Sequence, residues 1–555
     1  MKKQLSLLLV LLLLCGCSAP AAQPSATATA PVPETAPAVI PETAEFPYES
    51  RFDSETVIRL VDSGMEVTGP NSLTVFGSHD IVYYEDKDTY ESGNPYGEGQ
   101  DRDKHTAEEA ERHYVVNITE PGAYRVTGRL PYGQIRIDLG EKADEDENAV
   151  VELILDNADI GCTVAPAILF QNVYECDGDR KVDNATADVD TSAAGANLIL
   201  QGENTVTGSY VAKIFKDKEG EKKLWKQDGA IYSYMSMNVF GPGKLTLNAD
   251  NEGMDTELHL TVNGGDITIL SGNDGIYTNE DGVSVTTVNA GTLHIVAGLG
   301  EEGDGIDSNG YLVINGGTVI SAAKPQSDSG LDSDLGSYIH GGTVVALGAA
   351  MDWAESDSGQ VTVNLQFNDR QNGALQITAE SGGEVFTFDP ASDPVLKDYS
   401  RGFQGVVVSC PAFRVGDSYE VSVAGVKMMY TGTDVMGHGP GGMGPNPPGG
   451  FGPSRPEGEI PTWPEGEMPT WPEGEMPTMP EGGMPPEGFG DREPPQGFDG
   501  QMPTRPAGEM PEGGFGGGFG HGGRGPGSRI PEGEGNTLFY MQDKVNFFSG
   551  ITAAE

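Results

Sequence analysis

Hydrophobic and polar side chains alternate in short runs across the middle of the chain. The runs VELIL, from Val151 to Leu155, and NLIL, from Asn197 to Leu200, are examples, and Gly, Asn and Asp separate them from their neighbours. A period of two residues indicates β-strands that bury one face, and the intervening residues favour tight turns. The chain from Phe46 to about Tyr430 is therefore predicted to be folded and rich in strands.

A turn motif recurs along this region at nearly constant intervals. The strings GPGKLTL, NGGDITI, NAGTLHI, NGGTVIS and HGGTVVA begin 22, 26, 26 and 25 residues apart. Repeats of this length are typical of solenoids, in which each repeat is one coil that packs on its neighbours. Aligning the strings gives three apolar columns: Leu245, Ile267, Leu293, Val319 and Val344; Leu247, Ile269, Ile295, Ser321 and Ala346; and Phe240, Val262, Val288, Ile314 and Ile339.

These columns predict an all-β fold, a parallel β-helix whose coils stack column on column. A β-sandwich built from hairpins is the alternative. Because the ends of such a stack expose unpaired strands, residues 46–140, with the helix-like segment TAEEAERHYV, are predicted to cap its N-terminal end. Residues 141–435 form the predicted β-helix. The apolar segment 536–555 is expected to return to it as a strand, and a docking peptide is the alternative.

The three remaining segments have the composition of a leader, of a tether and of a disordered region. Residues 1–17 carry two lysines, an apolar run and LCGC, in which Cys17 follows Gly16. This string resembles the lipobox of bacterial lipoproteins, which implies a signal peptide and a lipid anchor on Cys17. Residues 18–45 read as a disordered tether, and residues 436–535, rich in Pro, Gly, Glu and Met, as a disordered segment. Cys162 and Cys176 are either a disulfide pair or two buried thiols.

Acidic side chains greatly outnumber basic ones. The chain has 84 Asp and Glu against 33 Lys and Arg, a formal net charge of -51, which excludes nucleic acid and anionic lipid as electrostatic partners. Cations are the expected counterpart. The imbalance is strongest from Leu245 to Asp369, where 19 acidic residues accompany one basic residue, Lys324.

A second motif places carboxylates at one position of each coil. It reads NEGMDTE, NDGIYTN, GDGIDSN and DSGLDSD, and stacked coils lie about 4.8 Å apart. Carboxylates this close repel unless a cation lies between them, and Ca²⁺ prefers such oxygen ligands. Turn formation is the competing explanation for each single Asp. The predicted Ca²⁺ ligands are Asp255, Asp274, Asp304, Asp307, Asp328, Asp332 and Asp334.

The strings NDGI, GDGIDSNG and NGGTVxS resemble the carbohydrate-binding domain family of clostridial and related bacteria. The resemblance is strongest from Gly241 to Gly348. It implies a right-handed parallel β-helix that holds calcium through the Asp residues of these strings and binds cellulose-like or acidic plant polysaccharides. The Asp position is occupied by Tyr277 in one coil, which departs from the pattern.

The expected function is calcium-dependent polysaccharide binding, without catalysis, at the outer face of a cell membrane to which only the lipid anchor attaches the chain. A polysaccharide lyase and a structural surface spacer are the alternatives. Sugar rings bind to aromatic side chains, and Tyr or Trp packed in a core is the competing explanation for each candidate. The candidates are Tyr311, Tyr338, Trp353 and Trp225.

Overall fold

The structure is a computed structural model that describes residues 48–85, 99–178, 182–218, 221–300, 302–349, 352–433 and 535–554. Of residues 183, 213–218 and 221–225 only the backbone is described. The predicted signal peptide, Cys17, the tether and residues 436–534 of the Pro/Gly-rich segment lie outside the described residues, as does the side chain of Trp225.

Strands make up most of the described chain. The first twelve are β1 (Glu55–Val61), β2 (Gly64–Thr68), β3 (Phe76–Ser78), β4 (Tyr114–Ile118), β5 (Gly122–Leu130), β6 (Gly133–Asp138), β7 (Val151–Gly161), β8 (Ile168–Asn172), β9 (Ala196–Gln201), β10 (Glu203–Gly208), β11 (Val211–Lys218) and β12 (Glu221–Gln227). The next thirteen are β13 (Gly229–Ser233), β14 (Met237–Phe240), β15 (Lys244–Ala249), β16 (Glu252–Thr256), β17 (Leu260–Ser271), β18 (Ile276–Thr278), β19 (Val285–Val296), β20 (Ile306–Ser308), β21 (Tyr311–Ile314), β22 (Thr318–Ala322), β23 (Leu331–Ser333), β24 (Gly336–Ile339) and β25 (Thr343–Gly348).

The C-terminal strands are β26 (Thr362–Gln371), β27 (Leu375–Ala379), β28 (Glu384–Phe388), β29 (Phe403–Ser409), β30 (Ser418–Val423), β31 (Val426–Met429), β32 (Phe539–Tyr540) and β33 (Val545–Ala553). In the described part of the chain, one short α-helix, α1 (Ala107–Glu111), begins after the N-cap Thr106, whose hydroxyl accepts a hydrogen bond from the Glu109 N–H. The 3₁₀ turns are Asp101–Asp103, Ala143–Glu145, Val182–Asn184 and Leu396–Asp398. The described chain is therefore all-β in class.

Parallel pairing between successive coils confirms the first two predicted columns. Strands β15, β17, β19, β22 and β25 pair in that order. Leu245 pairs with Ile267, then come Leu293, Val319 and Val344, and the residues two positions further on pair in the same order. The first-column side chains are buried, with exposed fractions of 0–1%. Hairpins, which the alternative β-sandwich requires, do not connect these strands.

The third column was predicted wrongly at its first position. Val239, and not Phe240, pairs with Val262. The remaining positions pair as predicted, from Val262 to Ile339 along β17, β19, β21 and β24. The corner between β14 and β15 is one residue longer than the corner within β17, so Phe240 turns outward and packs against Tyr48, with ring centroids 4.7 Å apart.

A further ladder carries the acidic motif. Strands β4, β6, β8, β13, β16, β18, β20 and β23 pair in parallel in that order. Strand β1 also pairs in parallel with β5, so parallel pairing begins within the segment for which a cap was predicted. Beside the ladder, β11 and β12 form an antiparallel hairpin that leads into β13.

The C-terminal strands pair mostly antiparallel and pack around their own apolar cluster. β25 pairs antiparallel with β29, whereas β33 lies parallel to β26. The last segment of the chain thus rejoins the folded part, with Phe548 and Ile551 buried. The three described cysteines are free thiols. Within the described residues, no helix has the length and apolar character needed to cross a bilayer.

Candidate functional site

The carboxylate column lies on the outer face of the ladder, as the sequence predicted. Asp255, Tyr277, Asp307 and Asp332 pair with one another in register. Each stands between two buried neighbours, an apolar residue before it and Thr or Ser after it. Since successive side chains of a strand point to opposite faces, the middle residue turns away from the core.

Two acidic groups result, one on each side of Tyr277. The first, which we call the acidic row, consists of Asp304, Asp307 and Asp332 with Asp352. Burial and the charge of Asp332 raise the pKa of Asp304 from 3.8 to about 8. Burial, followed by the charges of Asp274 and Asp332, raises the pKa of Asp307 to about 8 as well. Proton uptake or a bound cation would relieve the same repulsion.

Some predicted ligands accept hydrogen bonds from backbone N–H groups of a neighbouring repeat. Asp274 Oδ1 accepts a hydrogen bond from the Asp304 N–H at 2.7 Å, and Asp328 Oδ2 accepts one from the Gly303 N–H at 2.8 Å. Asp304 Oδ1 accepts the Ser329 N–H in the same way. These carboxylates hold adjacent coils together, and each keeps oxygen lone pairs for a cation. Asp334 stands further out and is exposed.

The second group, which we call the buried acidic centre, consists of Asp228, Glu252 and Asp255. One carboxylate oxygen from each lies within 4.8 Å of the others. Asp255 is completely buried, yet among the described residues neither of its carboxylate oxygens, nor Oε2 of Glu252, has a hydrogen-bond partner. Burial raises the pKa of both carboxyl groups. An unpaired buried carboxylate is costly, so these oxygens are suited to a ligand with positive charge.

Lys226 supplies part of that positive charge. Its Nζ lies 3.0 Å from Asp228 Oδ2 and 5.0 Å from the centroid of the Tyr277 ring. Burial alone would lower the pKa of Lys226, but the three carboxylates of the centre outweigh burial and raise it. Three negative charges against one positive charge leave two negative charges, the amount that one divalent cation neutralises. The oxygen-only donor set fits Ca²⁺ better than a softer metal.

Tyr311, Tyr338 and Trp353 are the predicted aromatic residues whose side chains the structure describes. The Tyr311 and Tyr338 rings are 6.2 Å apart and tilted, and Tyr338 stacks on His340 at 6.1 Å. Trp353 instead contacts Phe547 edge to face, with centroids 4.5 Å apart, and packs against the core. The half-buried Tyr338 therefore presents a ring beside a second aromatic ring, whereas Trp353 has a packing partner.

One part of the chain, which contains the candidate site, matches a known protein family. Residues 112–384, which include both acidic groups, match the family model described as carbohydrate-binding domain-containing protein. This part of the chain is similar to that family, and the match covers just under half of the chain. A carbohydrate-binding domain-containing protein of Acetivibrio thermocellus is 29% identical over 155 residues, which are 28% of this chain and 44% of that protein. The match thus spans less than half the length of this curated relative.

Two solved structures are similar to parts of the chain. The polysaccharide lyase-like protein from C. thermocellum has 20% sequence identity and a TM-score of 0.31, with 52% of this chain and 93% of that chain covered. The chitinase ChiW from Paenibacillus sp. str. FPU-7, described as a cell-surface-expressed multi-modular enzyme, has 14% identity and a TM-score of 0.11. The alignment with ChiW covers 56% of this chain and 22% of that chain.

Two members of the buried acidic centre, Asp228 and Glu252, were not among the Ca²⁺ ligands that the sequence analysis predicted. Asp228 lies three positions before Ile231, the residue that pairs with Met254, whereas Glu252 lies two positions before Met254. When QDGAI is aligned with NEGM on Ile231 and Met254, Asp228 is one residue out of register with Glu252. The Asp-Gly pair itself is visible in the sequence. Lys226 ends the β11–β12 hairpin, and no repeat marks its position.

Proposed function

We propose that this chain is a calcium-dependent carbohydrate-binding protein that recognises plant-type polysaccharides, cellulose-like or polygalacturonate. The match of residues 112–384 to the model of the carbohydrate-binding domain family supports the ligand class. The observation that carries the calcium dependence is Asp255, which is completely buried while its two carboxylate oxygens have no hydrogen-bond partner in the part of the chain that the structure describes. A native protein retains such a group when something outside the polypeptide pairs with it.

Two sets of residues would hold calcium. Asp228, Glu252 and Asp255 form the buried set, and the acidic row forms the more accessible set. Bound Ca²⁺ would supply positive charge to which a uronate carboxylate can bind. Without that charge the acidic row repels an anionic polysaccharide, since both carry negative charge. The protein's own contribution is to fix the carboxylates one coil apart on paired strands, so that a ligand meets a preformed surface.

The architecture and the location of the chain are part of the same proposal. The parallel ladders, with coils of 22 to 26 residues, support a right-handed parallel β-helix. The lipobox-like string at Cys17 supports a lipid anchor, and this anchor would hold the protein at the outer face of the cell membrane. A polysaccharide-binding domain at that face would meet polymers too large to enter the cell.

Removing two carboxylates of the acidic row tests the proposal. We expect the double variant Asp307→Asn and Asp332→Asn to bind polygalacturonate at least about tenfold more weakly than the wild type in calcium, a loss of about 1.4 kcal/mol. Affinity electrophoresis through gels containing polygalacturonate, with calcium or with EGTA, measures this difference. Asp266→Asn is the matched control, because Asp266 is about half exposed and lies on β17, outside the row.

The experiment has three distinct outcomes. Retardation of the wild type only in calcium, and loss of retardation in the double variant, would support the proposal. Equal mobility of the wild type in calcium and in EGTA would show that calcium is not required. Retardation of the double variant to the wild-type extent would remove the acidic row from the binding site.

A polysaccharide lyase is the second candidate, because a basic group, Lys226, lies at the buried acidic centre. A lyase requires a base that takes the proton next to a uronate carboxylate. The surrounding carboxylates raise the pKa of Lys226, so its amine keeps its proton near neutral pH. We therefore expect binding without cleavage. Incubation of the full chain with polygalacturonate and calcium, followed by ultraviolet absorbance of unsaturated uronates, distinguishes the two: rising absorbance would establish a lyase.

A further inference from the structure

A groove of about 880 Å³ runs beside β14, β17, β19, β21 and β24. It lies along a different ladder from the one that carries the acidic row. Polar side chains form much of its lining, and we call it the amide groove, after Asn263, Asn289 and Asn315. A groove of this volume is large enough for several sugar units and is in the range of protein ligand sites.

The three asparagines form a ladder along the groove, one in each of three successive coils. Asn289 Nδ2 donates to Asn263 Oδ1 at 2.8 Å, and Asn315 Nδ2 donates to Asn289 Oδ1 at 2.8 Å. Each side-chain amide has two N–H donors and two acceptor lone pairs, so the ladder leaves further donor and acceptor capacity on each. Hydroxyl groups also both donate and accept, and a row of fixed amides therefore suits a row of hydroxyls.

Aromatic rings stand at one end of the amide groove. Tyr338 and His340 both line it and stack with centroids 6.1 Å apart and planes 26° apart. His340 Nδ1 accepts a hydrogen bond from the Gly359 N–H at 2.9 Å, so in the neutral ring Nε2 carries the proton. The end of the groove thus offers an apolar ring face and a ring N–H donor, which together match the apolar face and the hydroxyl edge of a pyranose.

The opposite end of the groove is held rigid by buried hydrogen bonds. Thr191 Oγ1 donates to Asn238 Oδ1 at 2.8 Å, and Asn238 Nδ2 donates back to the Thr191 carbonyl at 2.9 Å. The Thr191 hydroxyl also lies 2.7 Å from Thr261 Oγ1. These bonds fix the wall formed by residues 186–192 against the ladder. A wall that is already ordered loses little conformational entropy when a ligand binds.

The charge of the groove restricts the class of ligand. Asp188, Asp190 and Asp357 line it, and neither Lys nor Arg is among its described lining residues. An anionic sugar would meet like charge from these three carboxylates. The amide ladder contributes no ionised group that could offset this repulsion. A neutral polymer of hydroxyl groups does not meet this repulsion. Paired strands along the groove repeat about every 4.8 Å, so the asparagine ladder presents amides at regular intervals.

We propose that the amide groove is a second carbohydrate site, which binds an uncharged glycan chain without calcium. The glycan lies across the coils, with hydroxyl groups on the asparagine ladder and one ring on Tyr338. The inference rests on the proposed function only for the class of ligand, since the acidic row and the groove use different residues. The chain would then hold acidic and neutral polysaccharides on separate surfaces.

Titration calorimetry of the full chain with cellohexaose in EGTA tests this site. We expect the wild type to bind, and Tyr338→Ala and Thr287→Trp each to weaken binding at least about tenfold. Thr287 is half-buried and lines the groove, so a Trp there fills the groove while the asparagine ladder stays in place. This second variant tests the site even if loss of Tyr338 impairs folding, which circular dichroism monitors.

Two control variants separate the two sites. Asn248→Ala, on β15 and outside the groove lining, should leave cellohexaose binding unchanged. Asp307→Asn should also leave it unchanged while it weakens binding of polygalacturonate in calcium. Absence of cellohexaose binding to the wild type, or wild-type affinity in Thr287→Trp, would overturn the inference. Neither result would affect calcium-dependent binding of polygalacturonate, so the two proposals fail independently.

Discussion

Asp307 illustrates how a single carboxylate can link folding, pH and calcium. Its pKa lies at about 8 in the folded chain against an ordinary 3.8, because it is largely buried and faces other carboxylates. The folded state therefore binds more protons than the unfolded state between these two values. Stability from this residue is greatest at low pH and falls as pH rises from about 4 to about 8. Calcium would favour the opposite protonation state, since it binds the carboxylate.

Asp307→Asn should reveal this linkage in urea unfolding. Without calcium, we expect the variant to be more stable than the wild type by about 1–3 kcal/mol at pH 8, with little difference at pH 4. In calcium at pH 8 the order should reverse, because the wild type gains the bound ion. Asp266→Asn controls for removal of an exposed charge. A stability difference that does not change with pH would contradict the assigned cause.

At the scale of the strand and the coil, small residues fix the register of paired strands as much as the apolar columns do. Gly275 belongs to an Asp-Gly-Ile string, and a Cβ at this position would lie 2.5 Å from the Gly305 carbonyl oxygen of the next coil. The glycine is therefore needed for close stacking of backbones. The same string that suggests calcium by its Asp thus has a packing role through its Gly.

Gly275→Ala should destabilise the chain by about 1–3 kcal/mol, because backbone atoms of the next coil must move. Chemical denaturation measures the loss. Gly383→Ala is the matched control, since a Cβ there meets nothing within 4 Å. Equal stability of the two variants would mean that the coils are not packed as closely as described.

Most of the coil register was predictable from the sequence, because 22- to 26-residue repeats with fixed apolar positions leave one consistent alignment. The carboxylate column followed from the same alignment. The prediction for Phe240 was wrong, since a corner one residue longer shifts Val239 into the column. Lys226 could not be predicted, because its position depends on how a hairpin outside the repeat folds back over Tyr277. Long-range placement of this kind leaves no periodic signal.

At the scale of the whole molecule, the chain's last strand completes the C-terminal apolar cluster. β33 pairs in parallel with β26, although residues 434–534 separate the segment that contains β33 from the described residues before that segment. Phe548 is 2% exposed and contacts Phe539 and Tyr430, with centroids 4.9 Å and 4.7 Å away. The C-terminal cluster thus depends on a segment that is distant in sequence.

Phe548→Ala should cost about 3–5 kcal/mol of unfolding free energy, because it leaves a cavity in this cluster. Tyr540→Ala, on the neighbouring β32, is the control, since Tyr540 is 49% exposed and should change stability by no more than about 0.5 kcal/mol. Thermal unfolding followed by circular dichroism compares the two. A small effect of Phe548→Ala would show that the last strand is dispensable.

The net charge of -51 also makes the whole molecule a poor partner for any polyanion unless a cation intervenes.

Titration calorimetry of polygalacturonate into the full chain, once in calcium and once in EGTA, is the most direct test of calcium-dependent carbohydrate binding. We expect saturable binding in calcium and none in EGTA. Binding of equal affinity in both solutions, or no binding in either, would contradict the account.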